Sequence, residues 1–294
     1  LIPSELAPFG LWLEQLIAES TGKEGKGILP IVDEPLGIPS SYSRDRFYVA
    51  ISLRGKRSSF HTLLRHMEER AEPVLKIVME DPFDLGQEFL RWELATATAG
   101  AILRINPFDQ PNVQESKERT ERLLDNFQTT RRLPQPKPLL ERKAVRFFGS
   151  KKLLRDGDLL HSFFEGIRPG SYIAMLAYLP ETSAIVDRLQ KLRKKLRDAF
   201  RVATTLGFGP RYLHSTGQYH KGGPNKGFFI QLAFEDEEDL SIPDRPYTFR
   251  LLWQAQAWGD LEALQKHRRR ALRIDLGPDP SKGFEALVQL VRKL

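Results

Sequence analysis

Apolar residues in the first half of the chain follow two alternating patterns. Segments with an apolar residue at every third or fourth position predict amphipathic helices at 6–20, 60–72, 86–104 and 113–127. Short runs that are apolar throughout predict buried strands at 28–32, 47–53 and 74–79. Because strands alternate with helices, we expect a parallel sheet covered by helices, which is an α/β fold.

The same alternation returns after the proline-rich stretch 131–140. It predicts strands at 172–179, 202–208, 227–234 and 272–276, and helices at 185–200, 248–271 and 284–294. The chain is therefore predicted to form two α/β units, at 1–128 and 146–294, which are joined by a linker at 129–145.

Composition narrows the classes of function. The chain has no cysteine, which excludes disulfides and thiolate chemistry and is typical of a cytoplasmic protein. No apolar run approaches the roughly 18 residues of a membrane helix, so no membrane partner is expected. A net charge of +7 suits nucleic acids or phosphorylated metabolites. Because the basic helices at 191–201 and 266–273 bury their aromatic residues, no nucleic-acid partner is predicted.

Residues 16–27, LIAESTGKEGKG, combine a carboxylate with a turn rich in glycine and lysine. The spacing excludes a P-loop, which needs GxxxxGK and then Ser or Thr after a strand. A helix end explains Gly22 as a left-handed cap and Lys23 as a cation near the negative end of the dipole. It does not explain Glu19, whose charge opposes that dipole. Gln15 lies one turn earlier, so the two side chains are predicted to line one wall of a cleft.

The break at 105–117, INPFDQPNVQESK, has two interpretations. In one, Asp109 is the N-cap of the next helix and the segment is a loop followed by a solvated charged helix. In the other, the segment contributes to a site. Gln110 and Lys117 are seven residues apart, two helical turns, and so could share a face.

The glycine-rich segment 209–229 holds two histidines, His214 and His220. A mobile surface loop is one interpretation. Loops of this kind often carry function, however, and His220 could act as an acid and base near neutral pH. Because no third ligand is spaced alongside the histidines, no metal site is predicted.

These segments together resemble phosphoglucose isomerase. The stretch QLIAESTGK (15–23) resembles the family segment Gln-x-x-x-Glu-Ser-x-Gly-Lys. The stretch GAILRINPFDQPNVQESK (100–117) resembles the second family signature, in which Phe-Asp-Gln lies seven residues before a lysine. Asn112 stands where that pattern has Gly or Ala. The sequences of residues 5–28 and 208–227 also resemble the isomerase half of bifunctional transaldolase/phosphoglucose isomerase proteins.

The resemblance implies interconversion of glucose 6-phosphate and fructose 6-phosphate without a cofactor or a metal. It also implies sugar-isomerase (SIS) domains: an α/β fold with an SIS-type parallel sheet and flanking helices, followed here by the second α/β unit. Glu19 would be the base that moves a proton through an enediolate. Lys117 and a histidine would assist ring opening. The family motif is Gly-Gln-His, and His220 is preferred to His214 because it lies in a similar sequence.

The remaining implied site residues would contact the substrate: Gln15, Gln110, Lys23 and His214. Two parts of the family pattern are not in the chain, namely a Gly-Gly-Arg-Phe/Tyr-Ser signature and the Ser/Thr-rich loop that holds the sugar phosphate. We therefore expect a C-terminal fragment that lacks an N-terminal SIS domain, is inactive or very weak alone, and exposes an apolar surface favouring a homodimer. The alternative function is a non-catalytic phosphosugar-binding regulatory module.

Overall fold

The structure is a computed structural model, which describes residues 1–56, 58–142, 144–154, 158–234 and 239–291. It is an α/β protein whose larger sheet is dominated by parallel strands and flanked by helices, so the predicted fold class is confirmed. No helix in these residues is both long and apolar enough to cross a membrane.

The first part of the chain forms a small parallel sheet between helices. Its elements are α1 (Ala7–Thr21), β1 (Tyr48–Leu53), α2 (His61–Glu69), β2 (Val74–Met79), α3 (Leu85–Leu103) and α4 (Pro111–Thr130). Strand β1 pairs with β2 in parallel, with Tyr48 opposite Val74. Helix α2 packs on one face of this sheet, and α1 and α3 contribute to the apolar cluster on the other.

The second part of the chain forms the larger sheet. Its strands are β3 (Leu140–Arg142), β4 (Val145–Gly149), β5 (Tyr172–Tyr178), β6 (Ala203–Phe208), β7 (Gly227–Ala233) and β8 (Arg270–Asp275). Its helices are α5 (Leu159–Phe164), α6 (Ser183–Phe200), α7 (Thr216–Gly222), α8 (Phe249–Lys266) and α9 (Pro280–Val291). The predicted helix at 284–294 extends beyond the described residues, which end here at 291.

The described strands of the larger sheet lie in the order β3-β4-β8-β7-β5-β6. Strands β6, β5, β7 and β8 are parallel, whereas β4 runs antiparallel to both β8 and β3. Strands β5 and β7 are buried along their whole length, which explains their continuous apolar sequences. Along β5, Ile173 and Met175 enter the cluster on one face, and Ala174 and Leu176 enter the cluster on the other.

Helices from the first part of the chain also pack into an apolar cluster of the larger sheet. Leu123 and Leu124 of α4, together with Ala18 of α1, join the cluster that α8 covers. Phe9 and Leu13 of α1 instead join the cluster under the small sheet. Helix α1 therefore connects both cores, and strand β3 takes up part of the predicted linker. The division at 129–145 stays a prediction.

Residues 28–32 are not the strand that their apolar sequence predicts; they have no regular secondary structure. The segment is held by a buried side chain and pairs with none of the described strands. Arg193 of α6 is 1% exposed and donates to the carbonyl oxygens of Val32 (3.0 Å) and Asp33 (2.8 Å). The same guanidinium donates to the hydroxyl and the carbonyl oxygen of Thr204 at the start of β6.

We predict that Arg193→Met destabilises the protein by about 3 kcal/mol, because four oxygens, two of them on the buried Thr204, lose a charged donor. The measurement is the free energy of unfolding in urea. Lys194→Met is the matched control, since Lys194 is the exposed next residue of α6 and should change stability by less than about 0.5 kcal/mol. Equal effects of the two substitutions would contradict this account.

Candidate active site

Glu19 lies in the last turn of α1, which ends at Thr21. Its side chain is 9% exposed and accepts a hydrogen bond from Gln15 Nε2 at Oε2 (3.2 Å). Burial raises the pKa of Glu19 above its ordinary value, and the hydrogen bond from Gln15 partly opposes that rise. The predicted pairing of Gln15 with Glu19 on one helix face is therefore present, and it produces a weakly solvated carboxylate.

His214 is near enough to Glu19 for its charge to lower the pKa of that carboxyl, as does the charge of Lys23. His214 ends a short 3-10 helix, Arg211–His214, that follows β6, and its side chain is exposed. The structure thus brings together Glu19, Gln15 and His214 from segments almost 200 residues apart. His214 is the histidine that the resemblance ranked second.

Lys23 has a different position from the one expected of a substrate ligand. Its side chain is 3% exposed and forms an ion pair with Asp109 Oδ1 at 2.9 Å. It also donates to the backbone oxygen of Asp109. Asp109 is not the N-cap of α4, because Gln110 takes that position. Lys23 therefore fixes the turn before α4 against the end of α1.

Gln218 joins three segments from within the protein. It is fully buried, and its Nε2 donates to the backbone oxygen of Gly22 (2.9 Å) and to Asn112 Oδ1 (2.9 Å). Its Oε1 accepts from the backbone nitrogen of Asn112 (3.0 Å). These three bonds, the Gln218 bridge, connect α7 to the end of α1 and the start of α4. Asn112 departs from the resemblance pattern, and its side chain supplies one of them.

The bridge requires glycine at two positions. A Cβ on Gly22 would lie 2.3 Å from Tyr219 Cα, and one on Gly222 would lie 2.5 Å from the Gly22 oxygen. Gly22 has φ −79°, so it is not the left-handed cap that the sequence predicts. Its lack of a side chain serves the close approach of α1 and α7, and Gly25 N–H donates to the Gly222 oxygen (2.8 Å) across that contact.

His220 lies deep in the protein, because segment 209–229 folds into helical turns and the start of β7 and is not a mobile loop. It is 1% exposed, and its Nδ1 is 3.2 Å from the Tyr172 hydroxyl. Its ring stacks on Tyr172 and meets the edge of Phe229. Burial, with the charges of Lys221 and Arg269, lowers the pKa of His220 well below its ordinary value. His220 is therefore an enclosed imidazole that favours its neutral form.

Gln110 and Lys117 are not bonded to Glu19, Gln15 or His214. Both side chains are exposed, and neither forms a side-chain hydrogen bond or an ion pair with another described residue. Gln110 directly follows the anchored Asp109, so its position depends on the Lys23 contact. Within the described ranges, no cluster of three His, Cys, Asp or Glu side chains could hold a metal ion.

Sequence reasoning missed the Gln218 bridge and the partner of Lys23. The signal for both was present, since a buried glutamine in a glycine-rich segment and a lysine beside a glycine are residues whose donors must find acceptors. Their acceptors are distant in the sequence: Gln218 bonds to a residue 196 positions away, and Lys23 to a residue 86 positions away.

Part of the chain is similar in sequence to glucose-6-phosphate isomerases. A protein of this name from Exiguobacterium sibiricum is 31% identical over 145 residues, 36% of this chain and 32% of the relative. One from Heliobacterium modesticaldum is 30% identical over 145 residues, with the same coverage of each chain. A probable glucose-6-phosphate isomerase from Methanococcus maripaludis is 28% identical over 147 residues, 38% of this chain and 33% of the relative.

The chain thus spans about a third of the length of the curated relatives it matches. No protein-family profile matches the chain. Among solved structures, a hypothetical protein from Thermus thermophilus aligns with 96% of this chain and 74% of its own, at 16% identity and a TM-score of 0.37. A likeness at that level supports no functional argument.

We predict that Gly22→Ala destabilises the protein by about 2 kcal/mol or more, because the new methyl group forces α1 away from α7. The measurement is the thermal midpoint of unfolding. Gly86→Ala is the control, since a Cβ there meets nothing within 4 Å in helix α3 and should be neutral or stabilising by up to about 1 kcal/mol. A Gly22→Ala protein as stable as Gly86→Ala would disprove the close contact.

Proposed function

We propose that Glu19 is the proton-transfer base of an aldose–ketose isomerase that interconverts glucose 6-phosphate and fructose 6-phosphate. The observation that carries the proposal is the environment of Glu19: a largely buried carboxylate with a raised pKa, held by Gln15 and close to His214. The similarity to glucose-6-phosphate isomerases over 36–38% of the chain supports the same class of reaction.

The chemistry needs a single carboxylate. Glu19 takes the proton from C2 of the open-chain aldose. The C2–H electron pair becomes the C1=C2 double bond, and the C1=O π pair moves to the C1 oxygen, which gives the enediolate. Glu19 then returns the proton to C1, and a second proton passes from the C2 oxygen to the C1 oxygen, which gives the ketose. No oxidant or reductant is consumed. A pKa raised toward neutrality improves the carboxylate as a base and as the acid that returns the proton.

We assign the histidine of ring opening to His214 in place of His220. His214 is exposed, and its charge lowers the pKa of Glu19, which supports this assignment. His220 is enclosed by Tyr172 and Phe229. In this proposal Lys23 positions the turn that carries Gln110, while Gln110 and Lys117 contact the substrate as the resemblance implies.

The active form, in this proposal, is a longer chain, an isomerase fused to a transaldolase, whose upstream SIS domain supplies the Ser/Thr-rich phosphate loop. We further propose a homodimer. Exposed apolar side chains along α3 support such a contact: Leu90, Leu94 and Ile102 are 58%, 61% and 76% exposed.

We expect Glu19→Gln in the full-length enzyme to lower kcat by a factor of about a hundred to ten thousand, because the amide cannot accept the C2 proton. A coupled assay of fructose 6-phosphate isomerisation measures this. With the wild type, kcat/KM should fall on the acid side at a pH above the ordinary glutamate pKa of about 4.3, because the base must be ionised and its pKa is raised.

Glu93→Gln is the control for this substitution, since Glu93 is exposed on α3 and should leave kcat unchanged. Wild-type turnover by Glu19→Gln would contradict the assignment of Glu19 as the base. Tight binding of fructose 6-phosphate without turnover by the unmodified full-length protein would instead favour the regulatory module.

We expect His214→Asn to lower turnover of the ring-closed substrate by about tenfold to a hundredfold, because ring opening loses its acid and base. His61→Asn, an exposed change on α2, is the control. If His220→Asn abolished turnover with an unchanged melting temperature, while His214→Asn did not, the histidine assignment would be reversed.

A further inference from the structure

A cleft of about 440 Å³ lies beside the Gln218 bridge at the end of α7. Its wall includes Gly222 and Gly223, Asn112 at the start of α4, and Arg269 after α8. None of the described residues that line it is a residue proposed above to bind or transform the hexose. The size is in the range that holds a small metabolite.

Arg269 is the fixed cation of this cleft. Its Nη2 donates to the backbone oxygens of Lys221 and Gly223, the latter at 2.7 Å, which holds the guanidinium in place. Its Nη1 is not buried and has no hydrogen-bond partner among the described residues, and no carboxylate there pairs with the guanidinium. A partly desolvated guanidinium that lacks an anion is suited to binding a phosphate or carboxylate.

The other lining groups add hydrogen-bond donors. Asn112 uses its Oδ1 in the Gln218 bridge, so its amide nitrogen remains as a donor with no partner among the described residues. Lys221 lines the cleft, but its Nζ forms an ion pair with Asp260 at 2.6 Å in the interior. Lys221 therefore contributes no unpaired charge.

Two carboxylates must be weighed against the cation. Glu115 contacts His267, which lines the cleft. It also forms ion pairs with Arg119 and Lys266, which compensate its negative charge. Glu24 also lines the cleft and is exposed, without an ion-pair partner in the described residues. Its repulsion of an anion is screened by water, whereas the partly buried Arg269 is screened less.

We propose that this cleft binds the phosphate group of a small metabolite, with Arg269 as the anchoring cation and the Asn112 amide as a second donor. The residues that carry this proposal are not among those assigned to the hexose, so it does not depend on the proposed function. Phosphate is favoured over a neutral ligand because the free groups of the inner wall are donors.

The test is isothermal titration calorimetry of the purified protein with inorganic phosphate, at ionic strength held constant with chloride. Saturable binding is expected. Arg269→Gln should weaken it by about tenfold or more, and Glu24→Gln should tighten it by about two- to fivefold. Arg268→Gln is the matched control, since Arg268 is the exposed neighbour that does not line the cleft. If Arg268→Gln and Arg269→Gln weakened phosphate binding equally, the loss would be an effect of net charge alone, and the proposal would be overturned.

A second measurement does not require any variant to fold. In amide NMR spectra of the unmodified protein, phosphate should shift Gly222, Gly223 and Arg269. Shifts confined to the turns around Glu19 would place the anion in the hexose site and overturn the second site. Absence of saturable binding in calorimetry would overturn it as well. Titration with a phosphate monoester and with acetate then separates the sources: the ester should match phosphate, and acetate should bind more weakly.

Discussion

The arrangement of the site depends on the backbone contact between the end of α1 and α7. Gly22 meets Tyr219 so closely that no side chain fits between them, and Gly222 meets the Gly22 oxygen in the same way. The Gln218 bridge forms across this contact and adds the start of α4. Because interiors are packed without slack, a small separation here would move Glu19 relative to His214 and Gln110.

Three neighbouring groups offset the unfavourable position of Glu19. A carboxylate in the last turn of a helix faces the negative end of the dipole, and burial removes much of its hydration. Gln15 donates one hydrogen bond to Glu19, and the charges of His214 and Lys23 partly stabilise the ionised carboxylate. The balance leaves a carboxyl that protonates more readily than a solvated one, which is the property that reversible proton transfer uses.

Local patterns in the sequence predicted most elements, including β5, β7 and α6, because their apolar periods match their burial. The pattern misled at 28–32, where an apolar run pairs with Arg193 and not with a strand. For the candidate site, Gln15 and Glu19 were predictable as neighbours on one helix. The choice between His214 and His220 was not, since both belong to one glycine-rich segment and only tertiary packing buries one of them.

The Gln218 bridge also sets an order of events during folding. Its partners, Gly22 and Gln218, are 196 positions apart, and Lys23 reaches Asp109 across 86 positions. Closing such loops costs chain entropy before any contact repays it. When only α1 through α4 have been synthesised, Gln15 and Lys23 are present beside Glu19 but His214 is not. The arrangement proposed for Glu19 and His214 therefore cannot form before the segment from His214 to the end of α7 has been synthesised.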